Sequence, residues 1–127
     1  TQLAALWDLY PSFLELAGIA GVGQQDGISM LPTLLQQGRQ KEHEYLYWEF
    51  HENDGRQALR WKKWKAVKLA VMKNAAAPVE LYDLEKDPEE QFNLASKKKR
   101  LVKKLSALLN KAHTPNPDWP LLKNEFK

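Results

Sequence analysis

An α+β domain is the fold this sequence predicts: a small antiparallel sheet of about four strands, packed by a long C-terminal amphipathic helix, with a helical segment at the N-terminus. Three observations predict it. Short runs rich in aromatic and β-branched residues lie between residues 44 and 83, separated by turn signals. Two of these runs are joined by only Lys62-Lys63, the step of a tight hairpin. Beyond residue 100, apolar residues recur at the helical period with lysines opposite them.

At the N-terminus, Leu9, Phe13, Leu14, Leu16 and Ala17 fall close to helical spacing. Asp8 is the expected cap, Pro11 sits in the first turn where its missing N–H costs little, and Gly18 is the expected stop. Residues 18–27 read as a loop. Ser29 is then the expected cap of a short helix over residues 30–37, with Pro32 in its first turn and Gly38 ending it. Residues 44–50 form an aromatic-rich strand, and Asn53-Asp54-Gly55 is a turn signal. Residues 57–61 and 64–69 flank Lys62-Lys63 as a hairpin, although Lys-Lys is not a favoured turn pair. Residues 75–78 are a loop and residues 79–83 a further strand. Alternation should put Trp and Leu on one sheet face and Lys and Arg on the other. Leu101, Val102, Leu105, Leu108, Leu109 and Ala112 form one stripe of a helix about four turns long, which should pack on the sheet. Pro115, Pro117 and Pro120 make residues 113–127 an extended tail.

The chain has 127 residues, enough for one domain that buries a core without staples. It contains no cysteine, which excludes disulfide and thiolate chemistry. Its formal net charge of +3 is too mild to imply a nucleic-acid partner. No apolar run approaches the roughly 20 residues that span a membrane. The chain opens at Thr1 without the regions of a signal peptide, as a processed or excised chain would.

Four stretches invite a chemical reading, and each has a plainer one. The run from Lys97 to Arg100, with Lys103 and Lys104, suits a nucleic-acid patch or simply a solvated helix face. Trp61-Lys62-Lys63-Trp64-Lys65 interleaves rings and cations as a binding module for nucleic acid or acidic glycans would. A hairpin tip with core-facing tryptophans produces the same pattern. His51 and Glu52 end a strand with a proton carrier and an acceptor for sugar hydroxyls, or with ordinary strand-end polarity. Asp83, Glu85, Asp87, Glu89 and Glu90 lack the alternation of a calcium loop and read better as acids complementing a helix N-terminus. No second histidine stands at a metal-ligand spacing, so a metal site is not expected.

Four blocks carry a family resemblance. Asp8-Leu9-Tyr10-Pro11-Ser12, with Ala17-Gly18, resembles the sulfatase helix D-x-x-P-T-x-x-x-x-A-G, and Asp26-Gly27-Ile28-Ser29-Met30-Leu31-Pro32 resembles the segment that follows it. The strand at residues 43–50, with Arg56, Arg60, Trp64 and Lys65, is similar to the first strands of the sulfatase C-terminal subdomain. Glu80-Leu81-Tyr82-Asp83-Leu84, then Asp87-Pro88, Glu90 and Asn93-Leu94-Ala95, resembles the family's last signature. The blocks keep their order from about residue 8 to 95 and are most similar to bacterial arylsulfatase-like enzymes acting on sulfated sugars.

That resemblance implies a C-terminal fragment of a sulfatase. Residues 1–38 would be the final helical segment of an N-terminal catalytic domain, and residues 39–127 the C-terminal subdomain packed upon it. Formylglycine, made in a C/S-x-P-x-R motif, and calcium would belong to that N-terminal domain, since neither motif occurs here. The fragment would therefore carry no cofactor, no catalytic residue and no activity alone. Its partners would be the catalytic domain of the same chain and a sulfated saccharide or aryl sulfate, with no nucleic acid and no membrane span. The location would be periplasmic or secreted. Strand-end loops of the subdomain reach the rim of the active site, which makes His51, Glu52 and Arg56 the expected substrate contacts. Arg suits an anion there because its fork matches oxyanions.

Overall fold

A computed structural model describes residues 2–19, 23, 25–122 and 125–126. They fall into two compact units, Thr1–Leu46 and Tyr47–Lys127.

In the first unit, a 3-10 turn at Leu6–Asp8 runs into helix α1, Leu9–Leu16. Gly18 follows at φ +69°, the left-handed stop that glycine takes without strain. Asp8 does not cap α1 with its side chain, contrary to expectation. Its carboxylate faces inward and accepts the Ala5 N–H at 2.8 Å and the Ile28 N–H at 2.9 Å. The Ser12 hydroxyl donates to the Asp8 carbonyl at 2.5 Å and accepts the Met30 N–H at 2.8 Å. Asp8 and Ser12 thus sew α1 to residues 28–30. Gly27 is needed there, because a Cβ would lie 2.2 Å from the Trp7 carbonyl oxygen. Ser29 accepts the Leu31 N–H at 3.2 Å. Helix α2 spans only Leu31–Leu34, shorter than the expected 30–37. Gln36, at φ +54°, turns the chain before a further helical turn can form.

The second unit is a meander, β1 (Leu46–Phe50), β2 (Arg56–Trp61), β3 (Trp64–Leu69) and β4 (Val79–Asp83), paired in that order. Register pairs Trp61 with Trp64, Leu59 with Ala66 and Ala66 with Leu81. Lys62 takes φ +55°, so the Lys-Lys hairpin forms with a non-glycine residue in the left-handed region. Helix α3, Lys99–Ala112, packs on one sheet face and contacts β2, β3 and β4. Leu59, Ala66, Leu81, Leu105 and Leu109 are fully buried there. Burying each leucine stabilises the fold by about 2 kcal/mol. The expected division of faces holds for Leu59, Trp61 and Trp64 against Arg56, Arg60 and Lys65. Lys68 departs from it, being 7% exposed on the helix face, while Val67 and Leu69 lie on the open face.

The acidic turn after β4 does not complement a helix N-terminus. Helix α3 begins at Lys99 and has no acid in its first turn. The acidic side chains bond the turn itself. Asp87 accepts the Gln91 N–H at 3.0 Å and the Phe92 N–H at 2.8 Å. Asn93 accepts the Leu81 N–H at 3.1 Å and the Ala95 N–H at 2.9 Å. Asp83 accepts the Lys63 ammonium at 3.0 Å and the Glu85 N–H at 3.3 Å. These bonds satisfy backbone donors that no strand or helix reaches.

Candidate functional site

The connection from β1 to β2 carries His51, Glu52 and, at its end, Arg56. Asn53, Asp54 and Gly55 all take positive φ, between +52° and +77°. Short polar side chains and glycine tolerate that conformation best. The turn is clamped from one side by residues 70–73. Val71 N–H donates to Gly55 O at 3.1 Å, Met72 N–H to Asp54 O at 2.9 Å, and Lys73 pairs with Asp54 at 2.6 Å. From the tail, Leu121 closes on Gly55, where a Cβ would stand 2.8 Å from Met72 Cγ and 3.2 Å from Leu121 Cδ1. The loop is therefore a rigid platform rather than a free strand end.

The three expected site residues are not brought together. His51 turns to the tail, with Nε2 3.2 Å from the Trp119 carbonyl and its ring edge-on to Trp119 at 5.7 Å. A proton on Nε2 donates to that carbonyl and leaves Nδ1 as an acceptor. Glu52 is exposed, and its carbonyl accepts the Gly55 N–H. Arg56 lies over the Phe50 ring at 5.8 Å, on the sheet face away from α3. That face forms an open groove of about 440 Å³ bounded by Phe50, Arg56, Lys65, Leu69, Tyr82 and Glu90. Within it Lys65 pairs with Glu90 at 2.5 Å and the Tyr82 hydroxyl donates to Glu80 at 3.0 Å. Burial, with Glu80 beside it, pushes the Tyr82 hydroxyl up to about 12. Arg56 has no carboxylate partner among the described residues, so its guanidinium is open to an anion.

A buried polar chain runs beneath β1, and local sequence patterns did not reveal it. Gln57 donates to the Tyr47 hydroxyl at 2.8 Å, and that hydroxyl donates to Glu49 at 2.5 Å. The same Glu49 oxygen lies 2.6 Å from His113 Nδ1, and His113 Nε2 lies 2.9 Å from Glu125. Burial, then Glu49 itself, drives the Tyr47 hydroxyl far above its ordinary value, so it stays a donor. His113 joins carboxylates 64 and 12 residues away, separations at which periodicity gives no signal. A histidine directly after a helix end was the only local cue.

At the other end of the sheet stand the hairpin tip and the start of α3. Burial works against the Asp83 carboxylate, but the Lys63 ammonium outweighs it and holds Asp83 below the usual carboxylate range. Lys68, buried beside α3, donates weakly to Asn110 Oδ1 at 3.3 Å and to the Ala75 carbonyl at 3.4 Å. Burial pulls its ammonium below the ordinary lysine value.

Among the described residues, no group of three or more His, Cys, Asp or Glu side chains could hold a metal ion. The donor set of the described residues does not fit calcium, and without cysteine the chain offers no thiol precursor for formylglycine. No helix of the described residues is long and apolar enough to cross a membrane.

Comparison with known proteins gives a consistent picture. A family model described as N-sulphoglucosamine sulphohydrolase, C-terminal, matches residues 1–114. Delta 4,5-hexuronate-2-O-sulfatase of Bacteroides thetaiotaomicron is 34% identical over 119 residues, covering 87% of this chain and 24% of its own length. Arylsulfatase K of Gallus gallus is 31% identical over 118 residues, covering 86% of this chain and 22% of its own length. The solved structure of a 2-O GAG sulfatase aligns with a TM-score of 0.71 at 32% identity, covering 83% of this chain and 23% of that one. The chain spans under a quarter of the length of these relatives.

Proposed function

Because the chain belongs to the family of N-sulphoglucosamine sulphohydrolase C-terminal domains, we propose that it is the C-terminal part of an enzyme that hydrolyses sulfate esters of sugars. The observation that carries this reading is the family match over residues 1–114. Relatives named as a hexuronate-2-O-sulfatase and a 2-O GAG sulfatase support a sulfated saccharide over a simple aryl sulfate. The nucleophile and its metal belong to a catalytic domain earlier in the same protein, and no step of that chemistry runs through residues of this chain. A periplasmic or secreted location suits a glycan substrate.

Residues 1–38 complete that catalytic domain. Support comes from α1 and its neighbours, which expose Leu6 at 84%, Phe13 at 62%, Leu16 at 64% and Leu34 at 65%. An apolar stripe of that kind marks an interface. Residues 39–127 pack on the same domain and present the 51–56 loop to the substrate. His51 and Glu52 bind sugar hydroxyls, and Arg56 takes an anionic group of the substrate. The clamped loop supports this role, because a contact that discriminates substrates must be held in place.

Alanine at His51, Glu52 or Arg56, each in the full-length enzyme, tests the assignment. A fall in kcat/KM on the order of tenfold on the native substrate is expected for each. Unchanged kcat/KM for all three would remove the loop from the site. His51 and Arg56 engage different neighbours, so their effects should be separable.

A further inference from the structure

The tip of the β2–β3 hairpin and the first turns of α3 meet in one surface, where Trp61 and Trp64 are half-buried and Lys62, Lys98 and Lys104 around them are exposed. Lys104 Nζ stands 3.7 Å from the Trp61 ring centroid, and Lys62 approaches the same ring at 5.1 Å. Trp64 draws Lys63 to 5.2 Å and Lys98 to 6.0 Å. Each indole therefore holds two ammonium groups near one another, against their mutual repulsion. Beside them an open groove of about 440 Å³ is bounded by Lys97, Lys98, Lys99, Arg100, Leu101 and Lys104. Asp83 and Glu85 engage Lys63. Lys62, Lys104 and the run from Lys97 to Arg100 have no carboxylate partner among the described residues. The first turn of α3 also carries no acid, although cations are unfavourable there. The fold thus retains a fixed set of charges that it does not neutralise.

We propose that this surface docks a sulfated glycan chain, at the end of the sheet opposite the 51–56 loop. The inference rests on the sulfatase reading for the identity of the polymer. Sulfates and carboxylates recur along such a chain, so a row of anchored cations meets several anions at once. Arg100 adds a planar fork that fits a sulfate oxygen pair. A single-stranded nucleic acid fits less well. Such strands bind by stacking bases on free aromatic faces, and here ammonium groups already occupy the indoles.

The test titrates the full-length protein with heparin over a range of salt concentrations. Binding should weaken steeply with salt, because each neutralised charge releases counterions. The pair Lys98→Glu with Lys104→Glu should bind heparin on the order of tenfold more weakly, with a flatter salt slope. Both lysines are exposed, and circular dichroism checks that the variant folds. A matched pair elsewhere, Lys41→Glu with Lys111→Glu, should leave affinity nearly unchanged. Equal losses from both pairs would overturn the docking site, and so would tighter binding of single-stranded DNA than of heparin or full retention of binding to desulfated heparin. Turnover of a sulfated monosaccharide, measured in parallel, tests the sulfatase reading alone. Its absence would sink that reading, while selective weakening of heparin binding by the first pair would still establish the docking surface.

Discussion

Two dense runs of charge lie near one end of the sheet and are used in opposite ways. Between Asp83 and Asn93, the Asp83 and Asp87 carboxylates and the Asn93 amide accept backbone N–H groups at 2.8–3.3 Å. From Lys97 to Lys104, with Lys62, the cations have no carboxylate partner among the described residues, and Lys62, Lys98 and Lys104 stand against indole faces. Both runs look alike as sequence, since each is a block dominated by one sign, the acidic one broken only by Lys86. What separates them is whether the chain supplies the partner. The acidic run closes on itself and sets the path from β4 to α3. The basic run is left for something outside the domain.

If that contrast is right, the acidic turn should be costly to disturb. Asp87→Ala removes the buried carboxylate that accepts two backbone N–H groups and should lower stability by about 2–3 kcal/mol. Asn93→Ala strips the Leu81 and Ala95 N–H groups of their acceptor and should cost about 2 kcal/mol. Urea midpoints at constant slope measure both. Losses below about 0.5 kcal/mol would mean that water serves the turn as well as the side chains do.

A smaller effect follows from pH. Asp83 and Asp8 are both held below the ordinary carboxylate value: burial opposes this, but Lys63 outweighs it at Asp83, and backbone N–H groups with His43 outweigh it at Asp8. Between the folded value and the unfolded value of about 3.9, the unfolded chain binds more protons. The stabilisation is thus complete above roughly pH 5 and fades as pH falls through the depressed folded values. Asp83→Asn should cost on the order of 1 kcal/mol at pH 7 and progressively less towards pH 3. A difference between wild type and variant that stays constant from pH 7 to pH 3 would detach Asp83 from Lys63.

Local periodicity exposed much of this fold, and its failures share a cause. Strands β3 and β4 begin and end where alternation predicts, and β1 starts two residues late. The α3 stripe is buried through Leu105 and Leu109. These elements depend on neighbours two, three or four residues apart, which is the range a pattern reports. Asp8 defeated the capping expectation because its carboxylate found Ile28, 20 residues on. Lys68 is buried because strand alternation puts its side chain on the helix face, whatever its charge. The chain from Tyr47 to Glu125 was invisible for the same reason as Asp8. At the candidate site, strand order located the 51–56 loop, but it did not reveal that His51 turns to Trp119 and Arg56 to Phe50.

The smallest predicted effect bears most directly on the contrast between the two runs. Lys99 opens α3 beside Lys97, Lys98 and Arg100, all exposed, and no acid stands in the helix's first turn. The unsatisfied N–H groups there carry partial positive charge, so a carboxylate is favoured and an ammonium is not. Lys99→Glu removes one cation from the repulsive cluster and supplies the favoured charge. Stability should rise by about 0.5 kcal/mol at low ionic strength, with the gain shrinking as salt screens it. A change from cation to anion within the acidic turn's partner set, Lys63→Glu, should move stability the other way, because Lys63 holds Asp83. If Lys99→Glu instead destabilises the domain, the basic run is structural like the acidic one, and its charges are satisfied by the fold. If it stabilises while weakening heparin binding, the lysines are held at a cost to the fold and serve an external anion.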